Sequence, residues 1–285
     1  MRVKWASGFS VGVILITGGC ALSAGEAPAA LDNRWRPLFD GRTLEGWTPK
    51  IRGYELGENY RDTFIVRDGA IRVSYDRYSE FGSRFGHLFH ETPVSAFRLR
   101  LEYRFLGDGP SDTPGWARYN SGVMIFSQAP ESMARDQGFP VSVEAQLLAA
   151  DGSAPRANGN VCTPGTDIVM EGRLIKQHCI NSPVAARPAD GRWILFEIEV
   201  SPSGLVTQRI DGEVSLVYSS PQLDPKADMA DSLPLIAAAG GRLEMKGGYL
   251  SLQSEGAPIE FRNIEIMDLG TLTPPQVANA RPTSE

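Results

Sequence analysis

Short β-rich runs separated by tight-turn signals recur along most of this chain, and they constrain its fold more than any other feature. The run FIVRDGAIRVS holds Asp68-Gly69 between two β-prone segments. The run IVMEGRLIKQH shows the same pattern at Glu171-Gly172. The stretch RWILFEIEVSPSGLVTQRIDGEVSLVYSS is typical of a three-stranded meander that turns at Pro202-Ser203-Gly204 and at Asp211-Gly212. Glu255-Gly256 predicts one more hairpin near the end of the chain. A short acidic-Gly turn between β-rich runs is a strong hairpin signal.

The same pattern argues against helical architecture. No segment of ten residues or more shows helical periodicity, and no strand-helix alternation is visible. With 30 glycines and 20 prolines in 285 residues, the chain is rich in turn formers. We therefore predict an all-β fold, a single sandwich or jelly roll over residues 34–269. In the last strand the apolar residues shift from odd to even positions, which predicts a β-bulge near Arg262-Asn263.

The N-terminal segment predicts export, and both ends of the chain lie outside the predicted domain. Arg2 and Lys4 precede a short apolar run that is too short to span a bilayer, so residues 1–20 are predicted to be a signal peptide. The run ends in Thr17-Gly18-Gly19-Cys20, which resembles a lipobox and predicts lipidation of Cys20; ordinary cleavage near Ala21-Leu22-Ser23 is the alternative. Residues 21–33 have the composition of a tether and residues 270–285 that of a disordered tail. We expect a periplasmic or outer membrane-anchored lipoprotein.

The charge balance bears on the partners. The net charge is −6, and no basic stripe stands out in the sequence. These features disfavour a nucleic-acid partner.

Two cysteines remain if Cys20 is set aside, and they allow three interpretations. A structural zinc site has four ligands, usually with closely spaced cysteine pairs. Cys162, Cys179 and His178 provide neither the number nor the spacing. A thiolate nucleophile beside His178 is disfavoured, since adjacent strand residues point to opposite faces. In an oxidising compartment an even pair of cysteines favours a disulfide. We predict a Cys162–Cys179 disulfide.

Strand alternation divides two segments into an apolar and a polar face. In VSVEAQLL, residues 141, 143, 145 and 147 are apolar, whereas Glu144 and Gln146 share the other face. In FRLRLEYRF, Arg100, Glu102 and Arg104 lie opposite the apolar set. Such polar faces indicate either a solvated outer sheet or a partly solvated face that binds a sugar. The segment GWARYNSG adds aromatic and amide groups typical of carbohydrate sites. The residues alone leave enzyme and lectin open.

Five motifs in order resemble the 3-keto-disaccharide hydrolase-like family. They are PLFDGRTLEGWT, FRLRLEYRF with NSGVM, VSVEAQLL, GNVCTPGT with KQHCINS, and YLSLQSEGAPIEFRNIEI. The resemblance implies a concanavalin A-like jelly roll of two antiparallel sheets. It also implies cleavage of 3-keto-glycosides or 3-keto-disaccharides, either by hydrolysis or by elimination to a 2-hydroxy-3-keto-glucal. Some members need a divalent metal. The main alternative is a non-catalytic carbohydrate-binding protein on the same fold, since fold does not decide function.

The resemblance also assigns roles to individual residues. It implies Glu144, His178 and Arg104 as catalytic groups, with Glu144 and His178 as candidate metal ligands. It implies Gln146, Asn120 and His87 as substrate-binding groups. Trp116 is added as the candidate aromatic platform of the segment GWARYNSG. We expect Glu144, Gln146, His178 and Arg104 to converge on one face of the sandwich.

Overall fold

The computed structural model describes residues 34–227 and 229–272. The predicted signal peptide, the lipidation site Cys20, the tether and nearly all of the predicted tail lie outside the described residues. The strands are β1 (Arg36–Pro37), β2 (Trp47–Ile51), β3 (Phe64–Arg67), β4 (Ala70–Val73), β5 (Gly86–His90), β6 (Ala96–Phe105), β7 (Asn120–Ser127), β8 (Val143–Leu148), β9 (Asn160–Cys162), β10 (Thr166–Met170), β11 (Arg173–Ile175), β12 (Cys179–Ile180), β13 (Ile194–Val200), β14 (Leu205–Ile210), β15 (Glu213–Leu223), β16 (Tyr249–Ser254) and β17 (Ile259–Gly270).

Helix is confined to short segments. The α-helix α1 covers Leu233–Ala238, and 3-10 turns cover Tyr60–Asp62, Gly115–Ala117 and Pro130–Ser132. Within the described part of the chain, no helix combines the length and the apolar character that crossing a bilayer requires.

The strands form two antiparallel sheets, which confirms the predicted all-β jelly roll. Nine strands of the ten-stranded sheet follow the order β11-β10-β15-β14-β13-β6-β17-β4-β3, and β1 pairs with β17. The seven-stranded sheet has the order β12-β9-β8-β7-β16-β5-β2. The hydrogen-bonded neighbours in both sheets run antiparallel.

The core lies between the sheets and follows the predicted alternation. Leu101 and Tyr103 of β6 are fully buried in it, as are Val143, Ala145 and Leu147 of β8. Side chains of opposite parity on each strand therefore point away from the core. Because the sheets pack through their apolar faces, the polar faces of β6 and β8 lie on opposite sides of the sandwich.

Most predicted turns are confirmed. Asp68-Gly69 joins β3 to β4, Glu171-Gly172 joins β10 to β11, and Asp211-Gly212 joins β14 to β15. In each pair both residues have positive φ, such as 50° at Asp68 and 77° at Gly69, as expected of a type I′ hairpin turn. The predicted bulge is also present, since the pairing of β17 with β6 shifts register between Arg262 and Glu265.

The predicted hairpin at Glu255-Gly256 is wrong. Strand β16 pairs with β5 and β7 in the seven-stranded sheet, whereas β17 pairs with β1, β4 and β6 in the other sheet. Residues 255–258 therefore carry the chain from one sheet to the other. The turn signal was real, but local sequence does not specify whether the flanking strands pair with each other.

The predicted disulfide is confirmed. Cys162 and Cys179 stand directly opposite each other in the pairing of β9 with β12, with 4.1 Å between their Cα atoms, and their sulfur atoms are bonded. Strand β12 has only two residues, so the covalent link holds an edge of the seven-stranded sheet that few backbone hydrogen bonds secure. Cys162 also stands opposite Glu144 of β8, which places the disulfide beside that carboxyl group.

Candidate active site

The outward face of the seven-stranded sheet carries a pocket of about 300 Å³, near the lower end of the range for small-molecule sites. Five of the predicted site residues line it. These are Trp116, Asn120, Glu144, Gln146 and His178. The pocket is completed by Phe139, Cys162, Pro164, Cys179, Met229 and Glu255. The structure thus brings together five of the seven residues that the sequence implied.

Glu144 forms the floor of the pocket through a close approach to Gly122. The neighbouring strand β7 has no side chain at this position, and a Cβ atom added there would lie 2.6 Å from Glu144 Oε1. Gly122 therefore leaves the space that the carboxyl group occupies. Any larger residue at position 122 would displace it.

Glu144 is buried, with 5% of its surface exposed, rather than lying on an open sheet face as its strand pattern suggested. Among the residues that the structure describes, its Oε1 atom has no hydrogen-bond partner. Burial raises the pKa of Glu144 from 4.5 to about 8, and the adjacent Gln253 amide offsets part of that rise. Desolvation disfavours the charged form of a carboxyl group. The result is a carboxyl group whose pKa lies near neutral pH.

Glu255 is a second buried carboxyl group in the pocket, and sequence reasoning missed it. It is 3% exposed, and its Oε2 atom has no hydrogen-bond partner within the described part of the chain. Burial raises its pKa well above the ordinary value, the charge of Glu144 raises it further, and Arg156 opposes the shift. The sequence signal here, Glu255-Gly256, was interpreted only as a hairpin turn. The side chain enters the pocket because the chain crosses between the sheets at this point.

An aromatic wall borders the carboxyl groups. Trp116 is 55% exposed and its ring stacks on Phe85, with 5.7 Å between the centroids and an interplanar angle of 19°. Asn120 donates from Nδ2 to the backbone oxygen of Trp116 at 3.3 Å, and its Oδ1 atom is buried without a partner. An exposed, rigid indole beside a buried amide suits the apolar face and the hydroxyl groups of a sugar.

Gln146 is oriented by its neighbour on β9. Its Oε1 atom accepts a hydrogen bond from Asn160 Nδ2 at 2.9 Å. Since the acceptor end of the amide is occupied, the donor end is available to an oxygen atom of a ligand. Gln146 is therefore a hydrogen-bond donor to the pocket.

His178 lies beside the disulfide at the same pocket. Its backbone oxygen accepts hydrogen bonds from the amide nitrogen and the hydroxyl group of Thr163, at 2.8 and 3.2 Å. A ring nitrogen of His178 lies within 4.8 Å of both sulfur atoms. The position of the imidazole follows from the loop that the disulfide ties to β9.

His87 is not among the residues that line the pocket. It is fully buried on β5, opposite Gln253 of β16, and its ring lies 6.2 Å from that of Phe139, a pocket residue. Burial, reinforced by the charge of Lys50, lowers its pKa to about 3, so the imidazole is neutral at physiological pH. Neither ring nitrogen has a hydrogen-bond partner. His87 therefore lies next to a pocket residue and outside the pocket lining, and its predicted contact with substrate stays a prediction.

The predicted convergence of Arg104 with Glu144, Gln146 and His178 is wrong. Arg104 lies on the outward face of the ten-stranded sheet. Its Nε atom donates to Glu260 Oε2 at 2.8 Å, and its guanidinium group lies 4.4 Å from the centroid of the Trp193 ring. The core separates this face from the pocket. Strand alternation identified the polar face of β6 correctly, but it could not tell to which sheet β6 belongs.

This placement predicts that Arg104→Gln leaves kcat/KM essentially unchanged. The variant should unfold more easily, by about 1–3 kcal/mol, because the buried Glu260 loses one of its two arginine partners while Arg72 remains. Steady-state kinetics and thermal melts would check both expectations. A fall in kcat/KM as large as that of the pocket variant Asn120→Ala would contradict the placement.

The pocket residues do not fit a metal held by three protein ligands. Within the described ranges, the only three His, Cys, Asp or Glu side chains whose ligand atoms lie together are Cys162, His178 and Cys179. The two sulfur atoms are bonded to each other and cannot both act as thiolates. Glu144 does not join His178 in such a group. We therefore derive no catalytic step through a metal.

A larger cavity of about 460 Å³ lies over the outward face of the ten-stranded sheet. Three of its charged side chains are ion-paired: Arg100 Nε lies 2.7 Å from Glu265, and Glu102 lies 2.7 Å from Arg262 Nε. Among the described residues, none of those with an unpartnered buried side-chain polar atom lines this cavity. The smaller pocket, which contains several unpartnered buried polar atoms, is therefore the candidate site.

A family model for the 3-keto-alpha-glucoside-1,2-lyase-like domain matches residues 34–267. The chain belongs to this family. A search of curated proteins finds no match. The lyase-like domain is similar to a candidate glycosyl hydrolase from Parabacteroides distasonis, at 16% identity, with 83% of this chain and 94% of that chain covered and a TM-score of 0.47.

Two further solved structures are similar to this lyase-like family member. Carbohydrate-binding module CBM66 from Bacillus subtilis has 11% identity, coverage of 78% and 96%, and a TM-score of 0.44. A Bacillus subtilis protein with a galectin-like fold has 11% identity, coverage of 82% and 94%, and a TM-score of 0.48. These likenesses concern the fold alone. Family membership supports an enzyme that acts on glycosidic bonds.

Proposed function

We propose that this protein cleaves the glycosidic bond of 3-keto-glucosides by elimination, and that it acts after export, in the periplasm or anchored to the outer membrane through Cys20. The family match supports a lyase-like reaction on a 3-keto-glucoside. The observation that carries the proposal is Glu144, a buried carboxyl group with an unpartnered oxygen atom in a pocket lined by amides and an exposed indole.

The reaction follows from the acidity of the substrate. A ketone at carbon 3 acidifies the proton on carbon 2, because the resulting carbanion is an enolate. A base removes that proton, the carbon 1–carbon 2 double bond forms, and the bond from carbon 1 to the glycosidic oxygen breaks. The products are a 2-hydroxy-3-keto-glucal and the free alcohol, and no water is consumed. Later addition of water to the glucal would give net hydrolysis.

Glu144 is suited to remove the proton on carbon 2. General bases work best when their pKa lies near the working pH, and burial raises the pKa of Glu144 to about 8. The Oε1 atom is free to accept the proton, since it has no hydrogen-bond partner in the protein. An aspartate or glutamate on an open surface would be a much weaker base.

The remaining pocket residues bind the sugar and the developing enolate. Gln146 directs its amide donor into the pocket and can stabilise negative charge on the oxygen at carbon 3. The unpartnered Oδ1 atom of Asn120 can accept a hydrogen bond from a sugar hydroxyl group. Trp116 stacks on the apolar face of the ring, and His178 lies at the disulfide side, where it can contact a hydroxyl group.

The direct test compares a nitrophenyl 3-keto-glucoside with the unoxidised nitrophenyl glucoside. We expect release of nitrophenol from the keto substrate only, because the unoxidised sugar lacks the acidified proton. Run in water enriched in heavy oxygen, elimination yields a first sugar product without label, whereas direct hydrolysis incorporates it.

Two outcomes would contradict the proposal. Equal turnover of both substrates would indicate an ordinary glycosidase. Binding of both sugars without turnover of either would indicate a non-catalytic carbohydrate-binding protein. Repeating the assay with a chelator tests separately whether a metal held by fewer than three protein ligands contributes.

A further inference from the structure

We propose that Glu255 is a second catalytic residue, the general acid that protonates the glycosidic oxygen as it leaves. The inference rests on the proposed elimination and extends it, since an alcohol is a poor leaving group unless its oxygen receives a proton.

The residues on either side of Glu255 are anchored. Ser254 Oγ lies 2.9 Å from the hydroxyl group of Tyr75, and the amide nitrogen of Gly256 donates to that same hydroxyl oxygen at 2.7 Å. Gly256 has a φ of 98°, and a Cβ atom there would lie 2.6 Å from Thr113, so the position requires glycine. The backbone at Glu255 is therefore held from both sides.

The strand order then places Glu255 across the pocket from Glu144. Glu144 lies on β8, Glu255 directly follows the last residue of β16, and β7 runs between these two strands. Adjacent strands are about 4.8 Å apart, so β8 and β16 are separated by roughly 10 Å across β7. Glu144 stands in one row with Met124 and Ser251, and Glu255 lies four residues further along the strand direction. Both side chains enter the space above β7, where Gly122 contributes no side chain. A sugar ring in this space has a carboxyl group on each side.

The burial of Glu255 indicates that it carries its proton. It is 3% exposed, and one of its oxygen atoms has no hydrogen-bond partner. An unpaired buried carboxylate is costly, and a second carboxyl group nearby makes double ionisation more costly still. The guanidinium group of nearby Arg156 donates to the backbone oxygens of Arg118 and Ala149, at 2.7 and 3.0 Å. Glu255 is thus a proton donor when Glu144 is ionised.

The complete step balances. Glu144 takes the proton from carbon 2, the electron pair of that bond forms the carbon 1–carbon 2 double bond, and the pair of the breaking carbon 1–oxygen bond moves to oxygen. Glu255 gives its proton to that oxygen, and the alcohol leaves. Glu144 is then protonated and Glu255 ionised. Transfer of one proton from Glu144 to Glu255 restores the starting state. The division of roles follows the rule that paired carboxyl groups with different environments act as base and acid.

Leaving-group dependence tests the assignment. A nitrophenolate leaves without protonation, whereas a methoxide does not, so Glu255→Gln should lower kcat/KM about 10²–10⁴-fold on methyl 3-keto-glucoside. On the nitrophenyl 3-keto-glucoside the same variant should retain most of its activity. The base variant Glu144→Gln serves as the matched control and should lose activity on both substrates.

The outcomes separate the acid from a structural role and from the proposed function itself. Equal losses on both substrates, or no loss on either, would overturn the assignment of Glu255. No turnover by the wild-type protein on either keto substrate would instead overturn the proposed elimination. If Glu255→Gln does not fold, the wild-type pH profile decides: an alkaline fall in kcat/KM with the methyl substrate and none with the nitrophenyl substrate supports the acid, and identical profiles overturn it.

Discussion

Replacement of Glu144 by Gln is expected to lower kcat/KM on a 3-keto-glucoside by about 10²–10⁴-fold, the usual effect of losing a general base. The amide has nearly the same shape but cannot accept the proton from carbon 2. In the wild-type protein, kcat/KM should rise with pH towards about 8, because only the ionised form of Glu144 is a base. Steady-state kinetics over this pH range would show the rise in the wild type and its absence in the variant.

The matched control for this variant is Glu102→Gln. Glu102 lies on the outward face of the other sheet, where its Oε2 atom accepts hydrogen bonds from Arg262 and Asn263 at 2.7 Å. It is a carboxyl group on a strand of the same sandwich, but the core separates it from the pocket. Its replacement should leave kcat/KM unchanged. Full activity of Glu144→Gln, or an equal loss in Glu102→Gln, would contradict the role of Glu144.

The second large effect concerns stability. A rise in pH increases kcat/KM but lowers the free energy of unfolding of the wild-type protein. The folded-state pKa of Glu144, about 8, lies above its ordinary value of 4.5, so the fold favours the neutral form. Below pH 4.5 the group is protonated in both states and does not oppose folding. As pH rises from 4.5 towards 8, the unfolded chain gives up the proton first, and stability falls by up to about 1.4 kcal/mol per pH unit.

Glu144→Gln should remove this loss, since glutamine stays neutral. We expect the variant to melt close to the wild type at pH 4.5 and several degrees above it at pH 8, while being nearly inactive. Denaturant unfolding at several pH values would measure the difference directly. Equal stability at pH 8 would show that the carboxyl group is solvated in the folded protein. A more stable but inactive variant is the signature of a residue retained for function at a cost in stability.

Much of the fold could be predicted because the relevant signals are local. Alternation along β6 and β8 separates core from surface correctly, as the burial of Leu101 and Ala145 shows. Positive φ at Asp68 and Gly69 follows from the turn chemistry of those residues. The disulfide was predicted from the expected export and from the two cysteines that remain when Cys20 is set aside, neither of which depends on the tertiary structure. The family motifs implied four residues that line the pocket, and the segment GWARYNSG added Trp116.

The burial of His87 and Glu144 was not predicted, because it depends on residues that are distant in the sequence. His87 has the alternation of an outward residue, yet it is fully buried because an aromatic segment that includes Phe139 packs against its ring. Burial of this kind depends on a loop about fifty residues away, and no local pattern encodes it. Glu144 is buried for a related reason, since its environment is made by β7, β16 and the loops around them.

The sequence by itself determined the strands, their inward and outward faces, most of the turns and the family. These properties depend on steric preferences and apolar spacing within a few residues. Only the tertiary structure decided which sheet each strand joins, and this assignment put Arg104 on the far side of the core from Glu144. The same assignment places β16 and β17 in different sheets. The segment that joins them therefore crosses between the sheets, and Glu255 in this segment lines the pocket. Strand pairing over long separations depends on the packing of both sheets at once, and one turn sequence is compatible with either outcome.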